Sequence, residues 1–400
     1  LHVRFVTLSL LLAIPGPLTA QRVVPSPVDP DVLATITDDD PQPLPRSLAP
    51  WELVPLRVSG PDGLVPPAGP VRTYAEYEPN RGLLIRWGSF NDVLTAMTVA
   101  VTTASRPARM WIVVSGSSQQ NSATTALGNA GANLDWVDFI HAPTDSVWIR
   151  DYGPRFIDDD GTLAIVDHTY NRPRPNDDAL PAAIAAAWGV PRYEIPLVHG
   201  GGNFHLFATG EAFMTELIED ENPSLSTVQI EEAYLDYQGL DVEIGAAFPS
   251  TYDSTQHIDM WMLPARDRAA LVGSYTNSGA SAIPHAVTEA MTADLEGRGW
   301  NVTRFGGFRA TGTHYTWANA VILDAVVLVP QFDPYPTQNA DALSAFATLF
   351  PGRDIIGINA TQLVTFAGVL HCIVMHVPAP RIFSDGFESG DTAAWTVGLP

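Results

Sequence analysis

The chain has no lysine: all 21 of its basic residues are arginine, against 44 Asp and Glu, giving a formal net charge of -23. Such an excess of acid argues against nucleic acid and anionic membrane as main partners, and it mildly favours cationic ligands. Genomic base composition is the plainest account of the missing lysine. Cysteine is reduced to one residue, Cys372, so no internal disulfide can form. A lone thiol is either a small buried hydrophobe or a group kept for reactivity. Long apolar runs are also missing. Phe5 to Ile14 is too short to span a bilayer, and no later segment is long and apolar enough.

What remains is abundant in turn formers, with 31 Gly and 34 Pro among 400 residues, and 46% hydrophobic residues suffice for a large core. Residues 1–20 read as an export signal: a weakly basic start, the short apolar run, then Leu18-Thr-Ala20 for cleavage. That predicts a secreted, periplasmic or cell-surface protein. Residues 21–70 read as a Pro- and Asp-rich arm, loosely packed or a linker. A folded domain is expected over 71–378, starting near Tyr74-Ala-Glu-Tyr-Glu-Pro79. Residues 379–400 form a short acidic tail; its Gly386-Phe-Glu-Ser-Gly-Asp391 run resembles a terminus seen on exported proteins of some Gram-negative bacteria and is read as a sorting tag.

Inside the domain one unit recurs: a polar residue, an apolar strand, a tight turn, a second strand, then a helix-like segment. Asp151 leads into Arg155–Ile157 and Leu163–Val166, around Asp158-Asp-Asp-Gly161. His257 and Asp259 lead into Met260–Leu263 and Ala270–Val272, and Asn319 into Ala320–Leu323 and Val326–Val329. Asn203 starts a similar pair. Asp-Gly and related turns between apolar runs signal hairpins. Helices are expected over Asn91–Ser105, Asp178–Trp188, Pro284–Gly297 and Ala340–Leu349. The pattern is α/β with roughly five similar units. A repeat of this kind can close radially, which would gather Asp151, His257, Asp259 and Asn319 on one axis.

Trp148-Ile-Arg-Asp-Tyr-Gly-Pro154 and Asn171-Arg-Pro-Arg-Pro-Asn-Asp177 carry the chemistry. A carboxylate grips a guanidinium fork, and an arginine pair such as Arg172 and Arg174 grips a carboxylate. A ligand with both groups, arginine at a peptide end, fits that grip. Two carboxylates, Asp151 and Asp259, would fix the guanidinium plane. Its carbon is a poor electrophile, so a thiolate from Cys372 would be needed, with His257 as acid and base.

Each residue has a plainer account. Asp151 could pair with Arg150 or Arg155. His257-Ile-Asp259, read as a strand, puts both side chains on one face and equally suits a metal half-site or a core hydrogen bond. Arg172 and Arg174 could be a solvated loop, and Asn319 a structural amide. His371 alternates to the opposite face from Cys372 in a strand and reads as structural. Gly200-Gly-Gly202 lacks the helix and Lys of a phosphate loop, and His199 and His205 lack zinc spacing.

Together, Trp148–Pro154, Gly201-Gly-Asn203, His257-Ile-Asp259, Trp317-Ala-Asn319 and His371-Cys372 resemble the guanidine-modifying enzyme superfamily, in its bacterial peptidylarginine deiminase and agmatine deiminase branch. The resemblance covers roughly 74–378. It implies a five-bladed pseudo-symmetric α/β propeller with a cofactor- and metal-independent site on its axis. By position it makes Cys372 the nucleophile, His257 the general acid and base, and Asp151 and Asp259 the guanidinium holders. It also places Asn319 in the substrate pocket and Trp148 against the substrate's aliphatic stem. Agmatine deiminases carry Glu-Gly-Gly-Asn where this chain has Gly200-Gly-Gly-Asn203, whereas Arg172 and Arg174 match the pair that binds a C-terminal carboxylate. The expectation is therefore a secreted, calcium-independent hydrolase of peptide or protein arginine, preferentially C-terminal. The segment Tyr252–Gln256 departs from that family's pattern. Deimination of agmatine or free arginine, a Cys-His peptidase, and a non-catalytic arginine-peptide binding protein are the competing readings.

Overall fold

The Asp158-Asp-Asp-Gly161 run makes the turn its composition demands. Asp160 and Gly161 both take positive φ (49° and 82°), and the two-residue loop joins strands Arg155–Asp159 and Thr162–Tyr170. The computed structural model of the protein describes residues 21–52 and 64–379. The expected export segment lies outside those residues, as does the expected tail apart from Ala379.

The hairpin just described recurs in sheet after sheet. An antiparallel pair is extended by a parallel strand that returns after a helix. Arg155–Asp159 and Thr162–Tyr170 are joined by Arg192–His199, and His205–Leu206 and Glu211–Thr215 by Asp241–Gly245. Met262–Arg266 and Ala269–Ser274 are joined by Asn301–Gly306. Val321–Ile322 and Val326–Gln331 are joined by Asp354–Asn359. In the remaining unit the last strand, Met375–Pro378, pairs with Asn80–Arg86, which is followed by Arg109–Val114 and Val137–His141. Five sheets of three or four strands are built on these related lines; the sequence located four of the units, those led by Asp151, Asn203, His257 and Asn319. The returning helices include Asn91–Thr102, Leu180–Trp188, Ala282–Gly297 and Pro336–Leu349. Two others, Ser117–Asn129 and Thr227–Gln238, have weaker apolar periodicity and were not anticipated.

Strand interiors such as Leu83–Ile85 and Val326–Val329 are wholly buried, consistent with apolar runs covered on both faces. Among the described residues no helix is long and apolar enough to cross a membrane.

The described part of the N-terminal arm is not a loose linker. Val23–Val24 adds a parallel strand to Asp354–Asn359. Farther on, Asp38 and Thr37 accept from the backbone and side chain of Asn91 (2.8 and 3.0 Å), and the Asp40 N–H donates to Gly88. Pro fixes φ and removes donors, so this Pro-rich stretch loses little entropy when it lies extended over a formed surface.

Candidate active site

Each unit is preceded by a tight turn, and those turns carry the candidate residues. Asp151 lies in the short helix Ile149–Tyr152, Asp259 in the 3₁₀ turn Ile258–Met260, and Cys372 in the 3₁₀ turn His371–Ile373. Gly201–Asn203 and Asn319 occupy the equivalent places in the other two units. Hydrogen bonds link the turns in a closed circuit. Gly201 N–H donates to Asp151 O (2.9 Å), and Asp259 N–H donates to Gly202 O (3.2 Å). Asn319 Nδ2 donates to Asp259 O (3.1 Å), and His371 N–H reaches Asn319 O and Oδ1 (3.3 and 2.9 Å). Arg150 Nε donates to His371 O at 3.2 Å and closes the circuit beside Asp151.

Inside this circuit sits a guanidinium. It belongs to Arg46 of the arm, is wholly buried, and has every donor engaged. Its Nε and Nη2 fork onto Asp151 Oδ2 and Oδ1, both at 2.8 Å. Its Nη1 and Nη2 fork onto Asp259 Oδ1 and Oδ2, at 3.1 and 3.0 Å. Nη1 also lies 2.6 Å from Cys372 Sγ, and Nη2 lies 2.8 Å from His257 Nδ1. Two bidentate carboxylates fix the plane of the group and balance its charge, the geometry that suits guanidinium best.

Electrostatics follow from that packing. Burial pushes the Asp151 carboxyl up, but Arg46 and then His257 outweigh it and hold it well below the usual range. Asp259 is likewise pulled down against burial, by Arg46 and His371. Burial pushes the Cys372 thiol well up; Arg46 opposes this, while Asp259 and Asp151 reinforce it. A buried thiol between two carboxylates is a poor nucleophile unless a cation lies beside it, and the guanidinium is that cation.

Two glycines make room. A Cβ at Gly202 would stand 1.7 Å from Arg46 Nη2 and 2.7 Å from Asp151 Oδ1. A Cβ at Gly200 would stand 2.9 Å from His257 Cε1. Gln256, with φ of 60°, precedes His257 and turns the chain into the site, a strained conformation of the kind that gathers at such places.

All the sequence-predicted residues converge here, although some hold other positions than anticipated. His257 and Asp259 lie in a 3₁₀ turn, not a strand. His371 is not on an opposite face: its Nδ1 bonds Asp259 Oδ2 (2.9 Å), because a 3₁₀ turn does not alternate faces as a strand does. Asn319 touches the thiol instead of the guanidinium, its Oδ1 lying 3.3 Å from Cys372 Sγ. The Trp148 indole donates to Leu44 O (2.8 Å), so its polar contact is with the arm's backbone two residues before Arg46. Arg172 and Arg174 are buried, not solvated. Arg172 Nε donates to Arg46 O (3.2 Å), and Arg174 Nη2 donates to Pro45 O and Ser47 O (2.7 and 3.2 Å). Arg174 also forks onto Glu52, at 2.7 and 3.0 Å.

Two residues of the site escaped sequence reasoning. Arg46 gave no periodic signal; its one mark is that no other basic residue lies between Arg22 and Arg57. Glu76 is a half-buried hub bonded to Arg150, to His371 Nε2 (2.9 Å) and, at 3.5 Å, to His376. It stands within the Tyr74–Pro79 run that marks the domain start. Among the described residues no group of three or more His, Cys, Asp or Glu is arranged to hold a metal ion.

Known proteins share this fold and, in part, this sequence. The chain is 26% identical over 297 residues to an agmatine deiminase of Pseudomonas putida, covering 63% of this chain and 80% of that one. The solved agmatine deiminase of Enterococcus faecalis superposes with a TM-score of 0.67 at 22% identity, covering 78% of this chain and 96% of that one. A substrate-bound agmatine deiminase of C. jejuni superposes with a TM-score of 0.67 at 15% identity, covering 78% and 97%. These structures share the α/β fold. The sequence pattern of the Porphyromonas-type peptidyl-arginine deiminases matches residues 72–378, and the chain belongs to that family of guanidine-modifying hydrolases, which takes in the bacterial agmatine deiminases.

Proposed function

We propose that the protein hydrolyses the guanidinium of arginine carried on a peptide, giving citrulline and ammonia. The observation that carries this reading is the seating of Arg46: a peptide arginine whose guanidinium is clamped between Asp151 and Asp259, against Cys372 and His257.

Those contacts support the steps; the passage of the thiol proton to His257, which shares no hydrogen bond with Cys372 in the structure, is part of the proposal. The Cys372 thiol gives its proton to His257 and attacks the guanidinium carbon, forming a C–S bond. His257, beside Nη2, passes the proton to that nitrogen, the C–N bond breaks, and ammonia leaves. Water, deprotonated by His257, then attacks the same carbon. The C–S bond breaks, and the urea of citrulline and the free thiol result. Asp151 and Asp259 fix the carbon for attack throughout.

The choice of peptide over agmatine rests on Arg172 and Arg174. On the arm they hold three backbone carbonyls and the Glu52 carboxylate, and agmatine has neither group to offer two buried cations. The Glu52 carboxylate on Arg174 supports a preference for a terminal carboxylate. Gly200 lies where agmatine deiminases carry Glu, and a side chain there would meet the His257 ring. The second reading is agmatine deimination, and it is favoured by the names of the relatives, which are mostly agmatine deiminases. The five-bladed radial arrangement is part of the proposal, supported by five like units and by the hydrogen-bonded circuit of their leading turns. Export is also part of it, supported by the character of residues 1–20.

Matched peptides with internal, C-terminal and amidated arginine, together with agmatine, separate these readings when citrulline or carbamoyl product is measured. The free-acid peptide is expected to react fastest. Equal rates on free-acid and amidated peptides would remove the role given to Arg172 and Arg174. Faster turnover of agmatine than of every peptide would put the second reading first.

A further inference from the structure

We infer that Arg46 is the enzyme's own first substrate: the protein deiminates the Arg46 side chain within its own molecule, and the resulting citrulline discharges the arm from the site. The inference rests on the deiminase reading above and goes beyond it.

The arm is built into the site, not laid across it. Trp148 holds Leu44 O, Arg172 holds Arg46 O, Arg174 holds Pro45 O and Ser47 O, and the Arg46 N–H donates to Phe366 O (3.0 Å). The guanidinium at the centre has the nucleophile on one nitrogen and the acid–base imidazole on another. An inhibitor that only blocks a clamp of two carboxylates needs a cation. Arg46 supplies that and also the one carbon on which this thiol is built to act.

The reaction consumes one water. Cys372 forms a bond to the Arg46 guanidinium carbon as its thiol proton moves through His257 to Nη2, which departs as ammonia. Water then replaces sulfur on the carbon, and the side chain becomes a neutral urea. Its new oxygen stands where Nη2 stood, 2.8 Å from Asp151 Oδ1 and 3.0 Å from Asp259 Oδ2. A donor bound by two carboxylates has become an acceptor facing them, and the charge that paired with both has gone. Two buried carboxylates left without a cation are costly, so the same contacts that held the arm now expel it. Water and a free substrate guanidinium can then enter.

The test uses the chain with its arm intact, freshly purified, alongside Cys372→Ser and Arg46→Lys. Mass spectrometry of the peptide spanning residue 46 is expected to show conversion to citrulline in the wild type and arginine in Cys372→Ser, at a rate unchanged by dilution. Citrulline release from an added arginine peptide should show a lag that ends as Arg46 is converted. Arg46→Ala should show no lag. Arg46→Lys keeps the positive charge without the reactive carbon, and should remain slow throughout. Arg46 persisting as arginine while the same sample converts added peptide overturns the inference and leaves the deiminase reading standing. Citrulline on neither the arm nor any added guanidine overturns both. A conversion rate that rises with protein concentration also overturns it, because reaction between molecules would then be responsible.

Discussion

At the scale of single residues, the site is decided by what is small as much as by what is charged. Gly202 lies against the guanidinium, and any Cβ there takes the space of Nη2. Gly202→Ala is expected to lower kcat/KM for every guanidine substrate by about 100-fold or more, since displacement of about 1 Å from reacting geometry has that effect. Unchanged thermal unfolding would show that the loss is local. Cys372→Ala removes the only thiol and should abolish citrulline formation on the arm and on added peptide alike. Retained turnover in that variant would exclude the covalent route. The legible part of this chemistry was its electrostatics. Asp151 and Asp259 were recognisable because guanidinium demands paired carboxylates, and Cys372 because the sequence offers one thiol. Arg46 was not legible, because its partners Asp151, Asp259 and Cys372 lie 105 to 326 residues away along the chain.

Among elements, the short turns before each first strand carry the candidate residues, and the hairpins after them carry the fold. The hairpins could be read from turn chemistry and alternation. The turns could not, because three or four residues of 3₁₀ or α geometry leave no period to read. That is why His371 was assigned to the wrong face. Asn319, whose side chain joins two such turns, shows how they depend on one another: it donates to Asp259 O and accepts from His371 N–H. Asn319→Ala leaves the buried His371 N–H with only its longer bond to the backbone O of residue 319 and removes the donor to Asp259 O, and should destabilise the protein by about 1–3 kcal/mol. It should reduce kcat more than it raises KM, because the thiol shifts while the guanidinium clamp stays. A change confined to KM would contradict this role. The loop of Arg172 and Arg174 calls for the opposite split. Arg174→Ala should raise KM for a free-acid peptide roughly 30-fold, corresponding to about 2 kcal/mol for a truncated buried pair, and should leave agmatine turnover near its starting value.

For the whole molecule, Glu76 ties the opening of the domain to its last turn. It bonds Arg150 of the Asp151 turn and His371 of the Cys372 turn. Burial pushes its carboxyl up, but Arg150, His371 and His376 outweigh that and hold it well below the ordinary carboxylate value. A group depressed in this way contributes stability that is complete above its unfolded pKa and is lost as pH falls through its folded pKa. Glu76→Gln should therefore flatten the acid limb of the stability–pH profile. At neutral pH it should cost about 3–5 kcal/mol, because Arg150 is left buried without its partner. Denaturation followed across acid pH checks both, and an unchanged acid limb would count against Glu76 as the junction.

The closing of strand Met375–Pro378 against Asn80–Arg86 also fixes an order of events during synthesis. Arg46 leaves the ribosome first, the carboxylates of the clamp follow, and the sulfur comes almost at the end of the domain. A nascent or prematurely ended chain can therefore offer carboxylates to a guanidinium but has nothing with which to attack it. Reactivity arrives in a single step with the final strand, by which time the arm has long been available to take the vacant seat.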